Sequence, residues 1–151
     1  MTSKDIDQLG LVPDQWVNRT GSSEFVGKDA FLKKIKMPGK SYSYIGYDLK
    51  NPLFEDKRVR QALASLVDKD RIIKDVYFGL ARSINGPFLI DAPYYDKAVK
   101  GWPFSVEKAK ALMAEAGWKD SDKDGILDKD GKKFDFTIIA VVNNPVVARI
   151  L

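Results

Sequence analysis

The sequence predicts an α/β fold, and three stretches of the chain carry this prediction. After Asp56, apolar residues recur at helical spacing and predict an amphipathic helix: Val59, Ala62, Leu63, Leu66 and Val67. The stretch 42–49 alternates β-forming side chains at period two, which predicts a strand. The stretch 134–142 begins by alternating and becomes continuously apolar, which is typical of a strand covered on both faces in an α/β sheet.

The first forty residues predict two short helices joined by loops. One has Pro13 in its first turn, where proline is tolerated because the amide that it lacks would have no partner within the helix. The other covers 28–37 and ends at the Pro38-Gly39 pair. The strand at 42–49 follows directly.

Capping signals mark the helices in the middle of the chain. Asp56 suits the N-cap of the first helix, and Asp68 offers a second cap, so we expect two successive helices or one helix bent at Asp68. Ser105 caps a third helix, and Gly117 closes it because glycine readily adopts the left-handed conformation. Trp118, directly after that glycine, is expected to fill the core rather than to contact a ligand.

The end of the chain predicts the start of another helix. Asn144 and Pro145 suit an N-cap and a first helical position, and the apolar residues of 146–151 form its opening turns. A natural domain seldom ends two turns into a helix whose apolar side is still accumulating. We therefore expect the chain to be truncated at this end.

Composition excludes several classes of function. Hydrophobic residues make up 44% of the chain, enough for a core, and no stretch reaches the roughly 18 apolar residues of a membrane-spanning helix. Cysteine and histidine are absent, which excludes disulfides, thiolate nucleophiles and the usual base near neutral pH, so an enzyme is the least favoured class. The net charge is +4, and basic and acidic residues alternate along the chain instead of forming a basic cluster. We therefore expect no nucleic-acid partner.

An acidic loop is the sharpest local motif. Asp120, Asp122 and Asp124 stand at the first, third and fifth positions before a turn-forming glycine, as in calcium-binding loops, and Asp128 offers another ligand. Gly131 stands where an EF-hand would place a bidentate glutamate, and a strand follows instead of a helix. The alternative is a polar turn whose aspartates accept hydrogen bonds from local amides.

Aromatic residues form a second candidate feature. Tyr42 and Tyr44 share one face of the predicted strand, and Tyr94, Tyr95 and Trp102 lie in a proline-rich loop. Such rings suit the recognition of peptides or sugars, because they offer contact area at low entropic cost and keep a polar tip. The alternative is that they pack over the edge of their own domain.

Several segments agree, in order and spacing, with one known family. The most specific is Tyr44–Leu63, which combines the strand, an Asn-Pro-Leu-Phe turn and an Arg-Val-Arg-Gln-Ala-Leu helix start. Further matches follow at 67–73, at Gly86-Pro87-Phe88, at 107–112 and at Ala114–Trp118 before the Asp-Gly loop. Together these segments resemble the family-5 extracellular solute-binding proteins, which carry dipeptides, oligopeptides, nickel chelates or other small solutes to ABC permeases.

The resemblance implies a partial lobe of a two-lobed, periplasmic-binding-protein-like clamp of type II. In such a clamp a mixed sheet flanked by helices builds each α/β lobe, and the solute is trapped between the lobes. Residues 4–151 would form the first part of the second lobe, and 1–3 would be a remnant or linker. Asp48 and Leu53 depart from the family's usual Asn and Pro without altering the assignment.

The resemblance also implies a binding protein rather than an enzyme. The implied partners are a peptide or another small solute and an ABC permease. We expect no cofactor unless the acidic loop binds calcium. We expect the whole protein in the periplasm or outside the cell. Its contact with the membrane would come only through an anchor upstream of this chain or through the permease.

Four residues carry over from the family as candidate ligand contacts. In oligopeptide-binding relatives, tyrosines of the strand before the Asn-Pro turn line side-chain pockets, which points to Tyr44 and Tyr42. The loop after the later strand approaches the ligand, which points to Asn143 and Asn144. The alternative function is a calcium-binding interaction module that uses Asp120–Asp128.

Overall fold

The structure, a computed structural model, describes residues 10–21, 33–37, 39–141, 144 and 146–150. Its α-helices are α1 (Lys57–Ser65), α2 (Lys69–Asp75), α3 (Val106–Glu115) and α4 (Val147–Ile150). A short antiparallel hairpin is formed by β1 (Asp128–Lys129) and β2 (Lys132–Lys133). Two further turns are a π-helical turn at Gln15–Arg19 and a 3-10 turn at Pro52–Phe54.

Side-chain caps begin α1 and α2 at the predicted positions. The Asp56 carboxylate accepts a hydrogen bond from the Arg58 amide at 2.8 Å and begins α1. The Asp68 carboxylate accepts one from the Arg71 amide at 2.9 Å and begins α2. The prediction left open one bent helix or two helices, and the structure has two.

Both ends of α3 also agree with the prediction. The Ser105 hydroxyl accepts a hydrogen bond from the Lys108 amide at 3.1 Å, and Gly117 follows the helix with a φ of 90°, in the left-handed region. The Ser105 amide donates to the Ser65 carbonyl at 2.9 Å. The beginning of α3 is therefore tied to the end of α1.

The core lies between α1 and α3. Small buried residues allow the backbones of the two helices to approach closely. These residues are Ala62 on α1, Ala109 on α3 and Ala116 directly after α3. Larger side chains complete the buried cluster: Phe54, Val59, Met113 and Trp118. Trp118 is only 7% exposed, which confirms its predicted place in the core.

The hairpin follows an Asp-Gly turn. Asp130 and Gly131 both have positive φ values, 52° and 74°, which is the geometry of a two-residue turn that matches the twist of antiparallel strands. The register pairs Asp128 with Lys133. Asp128 also forms a bridge with Lys119, so the hairpin lies beside the end of the α3 segment.

The strands predicted at 42–49 and 134–142 are wrong for this structure. Residues 42–48 and 134–141 are irregular, and the predicted mixed sheet is replaced, within the described residues, by the two-stranded hairpin. The physical reason is that a strand needs a neighbour to satisfy its amide and carbonyl groups. The apolar pattern describes which side chains a strand would bury, but pairing depends on a partner strand, and the described chain offers none.

The helix predicted over 28–37 is also wrong where it can be assessed. Residues 33–37 are irregular, and 28–32 lie outside the described residues. Within this segment, the Lys34 ammonium group donates to the Trp16 carbonyl at 3.1 Å and lies 4.3 Å from the centroid of the Trp16 ring. This contact holds the segment against the π-helical turn.

The predicted helical starts at both ends of the chain are confirmed. Residues 13–14 are helical and lead into the π-helical turn, where the Trp16 amide donates to the Val12 carbonyl at 3.0 Å. Asn144 precedes α4, and its side-chain oxygen accepts hydrogen bonds from the amides of Val146 and Val147. Among the described residues, no helix has the length and apolar character needed to span a bilayer.

Candidate functional site

Tyr42 and Tyr44 form an exposed aromatic pair at the start of the segment 42–48. Their ring centroids lie 5.8 Å apart, and the side chains are 48% and 79% exposed. Tyr47 packs instead on Phe54, with ring centroids 5.4 Å apart, and burial raises its pKa above the usual value. The segment is therefore attached to the core through Tyr47 and presents the other two rings to the surroundings.

The segment 134–141 is anchored in the same way. Phe134 packs edge-on against Trp118 at 4.9 Å, and Phe136 packs against Phe54 at 5.4 Å. Beyond these rings the side chains are exposed, and Ile139 reaches 95%. Phe54 thus joins both apolar segments to the core. In the sequence, Phe54 stands out only as part of a family motif, and nothing in that motif indicates this role.

Of the two candidate asparagines, only Asn144 belongs to the described residues. Its side-chain oxygen accepts hydrogen bonds from the Val146 amide at 3.0 Å and the Val147 amide at 3.3 Å. The structure therefore uses Asn144 as the cap of α4. Ligand binding by Asn143 and Asn144 stays a prediction, as it does for Tyr42 and Tyr44.

The proline-rich aromatic loop is held by its own contacts. The Tyr95 hydroxyl accepts a hydrogen bond from the Asn85 amide at 3.0 Å. The Lys108 ammonium lies 4.5 Å from the centroid of one ring of Trp102. Tyr94 remains 64% exposed. For Tyr95 and Trp102 these contacts agree with the alternative that loop aromatics pack over their own domain.

In the acidic loop, three carboxylates converge. Asp120, Asp122 and Asp124 place one oxygen each within 4.8 Å of one another, a spacing that a hard cation could bridge. Asp128 is directed elsewhere: it accepts hydrogen bonds from the Ser121 amide at 2.9 Å and the Ser121 hydroxyl at 2.7 Å, and these bonds are the main cause of its lowered pKa. Calcium binding by this loop stays a prediction.

The polar-turn interpretation of the same loop has direct structural support. The Asp120 carboxylate accepts a hydrogen bond from the Gly125 amide at 3.1 Å. The Asp124 carboxylate accepts one from the Ile126 amide at 2.9 Å. Two of the aspartates therefore act as acceptors for amides of their own turn, as the alternative interpretation expects.

Lys133 is the residue of this loop that the sequence analysis missed. Its ammonium group lies 2.7 Å from an Asp122 oxygen and 2.9 Å from an Asp124 oxygen. Hydrogen bonding to Asp122, and then to Asp124, raises the pKa of Lys133 above its usual range. The same contact is the main cause of the lowered pKa of Asp124. The available signal was the Asp130-Gly131 turn, whose two-residue hairpin returns Lys133 to the acidic loop.

Comparison with known proteins decides the family. The family model described as "Bacterial extracellular solute-binding proteins, family 5 Middle" matches residues 2–151. The chain belongs to this family. The resemblance inferred from the Tyr44–Leu63 motif is thereby confirmed.

Among curated family-5 relatives, the oligopeptide-binding protein AppA of Bacillus subtilis is 44% identical over 71% of this chain. The dipeptide-binding protein of Escherichia coli is 37% identical over 60% of the chain. The matches cover 20% and 17% of these two relatives, so the chain spans about a fifth of their length. Both relatives are named as binding proteins.

Two solved family-5 structures are similar to the fold described here. AppA of Bacillus subtilis in complex with a nonapeptide matches with a TM-score of 0.56 and 45% identity over 59% of this chain and 18% of that one. NikZ of Campylobacter jejuni in complex with Ni(L-His) matches with a TM-score of 0.61 and 34% identity over 69% of this chain and 21% of that one. The two structures hold different classes of solute.

Proposed function

We propose that this chain is part of an extracytoplasmic binding protein that captures a peptide and delivers it to an ABC permease. The observation that carries the proposal is the 44% identity with an oligopeptide-binding protein, which exceeds the 34% identity with NikZ. The exposed Tyr42–Tyr44 pair supports the peptide class, because tyrosine rings cover side chains while their hydroxyl groups form hydrogen bonds. The protein binds its solute and does not transform it.

The same proposal extends to the fold of the whole protein. Residues 4–151 contribute to the second lobe of a two-lobed clamp, in which 42–49 and 134–141 pair as strands with parts of the protein outside this chain. The exposure of Ile45, Ile138 and Ile139 supports this arrangement, since soluble domains seldom leave contiguous apolar surface uncovered. The family description as extracellular supports a location outside the cytoplasmic membrane. Contact with the membrane comes through an upstream anchor or the permease.

Calorimetric titration of the full-length protein tests the proposed solute class. We expect saturable binding of a nonapeptide and no binding of the nickel–histidine complex. We expect Tyr44→Ala to weaken peptide binding about tenfold, or about 1.4 kcal/mol, the loss typical of an exposed aromatic side chain that becomes buried against a ligand.

Tyr94→Ala is the matched control, because Tyr94 is also a well-exposed tyrosine but lies in the other aromatic segment. It should leave the peptide affinity unchanged. If the protein binds the nickel complex and not the peptide, its solute class is a metal chelate rather than a peptide. An equal loss of peptide affinity in the two variants would show that Tyr44 has no specific role in binding. If the protein binds neither solute, the proposal is wrong.

A further inference from the structure

The side chain of Lys133 lies inside the acidic loop. Lys133 is on β2, directly opposite Asp128 on β1. From there its ammonium group contacts both oxygens of Asp122, at 2.7 and 2.8 Å, and one oxygen of Asp124 at 2.9 Å. Asp128 contributes a longer contact of 3.9 Å. The Lys133 ammonium group therefore lies within 4 Å of three carboxylates, those of Asp122, Asp124 and Asp128.

The carboxylates of the loop lie close together and carry like charges. Carboxylates gathered within a few ångströms repel one another, and a positive charge placed among them offsets that repulsion. Here the ammonium group occupies a position between Asp122 and Asp124, at hydrogen-bond distance from both. A divalent cation bound to the same two carboxylates would have to displace it.

We propose that Lys133 is the built-in cation of the acidic loop and that it locks the turn 120–133 in its observed shape without a metal ion. This arrangement is called the Lys133 lock below. It does not depend on which solute the whole protein binds. A calcium ion bound by Asp122 and Asp124 would compete with Lys133 for the same carboxylate oxygens.

The lock lies next to the chain that follows the hairpin. The Phe134 amide donates to the Leu127 carbonyl at 2.7 Å, and the Phe134 ring packs on Trp118. Lys133 is adjacent to Phe134, so its side chain is held in the loop next to the residue at which the segment 134–141 leaves the hairpin.

Solvent-exchange NMR on the 151-residue chain tests the lock. The amides of Gly125 and Ile126 donate to loop carboxylates, so their exchange rates report the shape of the turn. We expect Lys133→Met to raise both rates by about two- to fivefold, the size typical of a lost exposed ion-pair network. Lys132→Met is the matched control: it removes the same charge from the neighbouring exposed position on β2 and should leave the rates unchanged.

Two further measurements use the unaltered chain, so they do not require that a substituted chain folds. At about 1 M NaCl, where the screening length is about 3 Å, the Gly125 and Ile126 amides should exchange faster relative to the amides of α3. Added calcium should leave their exchange and the melting temperature unchanged. Equal rates in the two lysine variants, or slower exchange and a raised melting temperature with calcium, would overturn the proposal.

Discussion

Asp56 combines two roles at the start of α1, and they can be separated by pH. Its carboxylate caps the helix and also pairs with the Arg58 guanidinium at 2.6 Å. Hydrogen bonds from the Arg58 side chain and backbone lower the pKa of Asp56 from 3.8 to about 2. A carboxylate whose pKa is lower in the folded state stabilises the fold above its unfolded pKa. That contribution is lost as the pH falls from about 4 to about 2.

We therefore expect the free energy of unfolding of the unaltered chain to approach that of Asp56→Asn across this pH interval. Asparagine is an equally good N-cap but cannot ionise, so the comparison removes the charge and keeps the cap. Denaturant titrations at a series of pH values measure the difference. A difference that stays constant between about pH 6 and pH 2 would show that the Asp56–Arg58 pair does not stabilise the fold.

Residues whose partners are close in sequence could be predicted, and residues with distant partners could not. The cap at Asp56 involves the amide two residues later, so the sequence alone indicates it. Lys133 contacts Asp122, eleven residues earlier, and only the hairpin register brings the two together. The same limit applies to Phe54, whose contact with Phe136 depends on the fold of the intervening chain.

At the scale of elements, the contact between α1 and α3 depends on small side chains. Ala109 is 2% exposed and belongs to the buried cluster between the helices. We expect Ala109→Leu to destabilise the fold by about 1–3 kcal/mol, because a larger side chain must push the two helices apart. Ala111→Leu, on the exposed side of the same helix, is the control and should change stability little.

Urea denaturation of the two variants measures the difference in unfolding free energy. A similar small effect in both would show that α1 and α3 are not closely packed at Ala109. A similar large effect in both would indicate that leucine disturbs α3 itself rather than its packing.

Helices and strands differ in how far the sequence determines them. The three longer helices begin at Asp56, Asp68 and Ser105 as predicted, because capping and apolar spacing are properties of a single segment. The strands predicted at 42–49 and 134–142 are absent from the described residues, because a ladder requires a second segment. Within the described residues, β1 and β2 can pair because only Asp130 and Gly131 separate them in the sequence.

At the scale of the whole molecule, this chain accounts for about a fifth of the relatives it matches. Its buried cluster is formed by side chains of α1 and α3 together with Phe54 and Trp118. From this cluster two apolar segments extend, 42–48 and 134–141, and both are anchored on Phe54. We propose that they are strands of a family-5 lobe and that their partner strands belong to the rest of the protein.

Amide hydrogen exchange across these two segments tests that explanation most directly. The measurement compares residues 42–48 and 134–141 in the isolated 151-residue chain and in the full-length protein. We expect rapid exchange in the isolated chain and exchange slower by at least about a hundredfold in the full-length protein, where the amides would be paired within a sheet. Equally rapid exchange in both would contradict it.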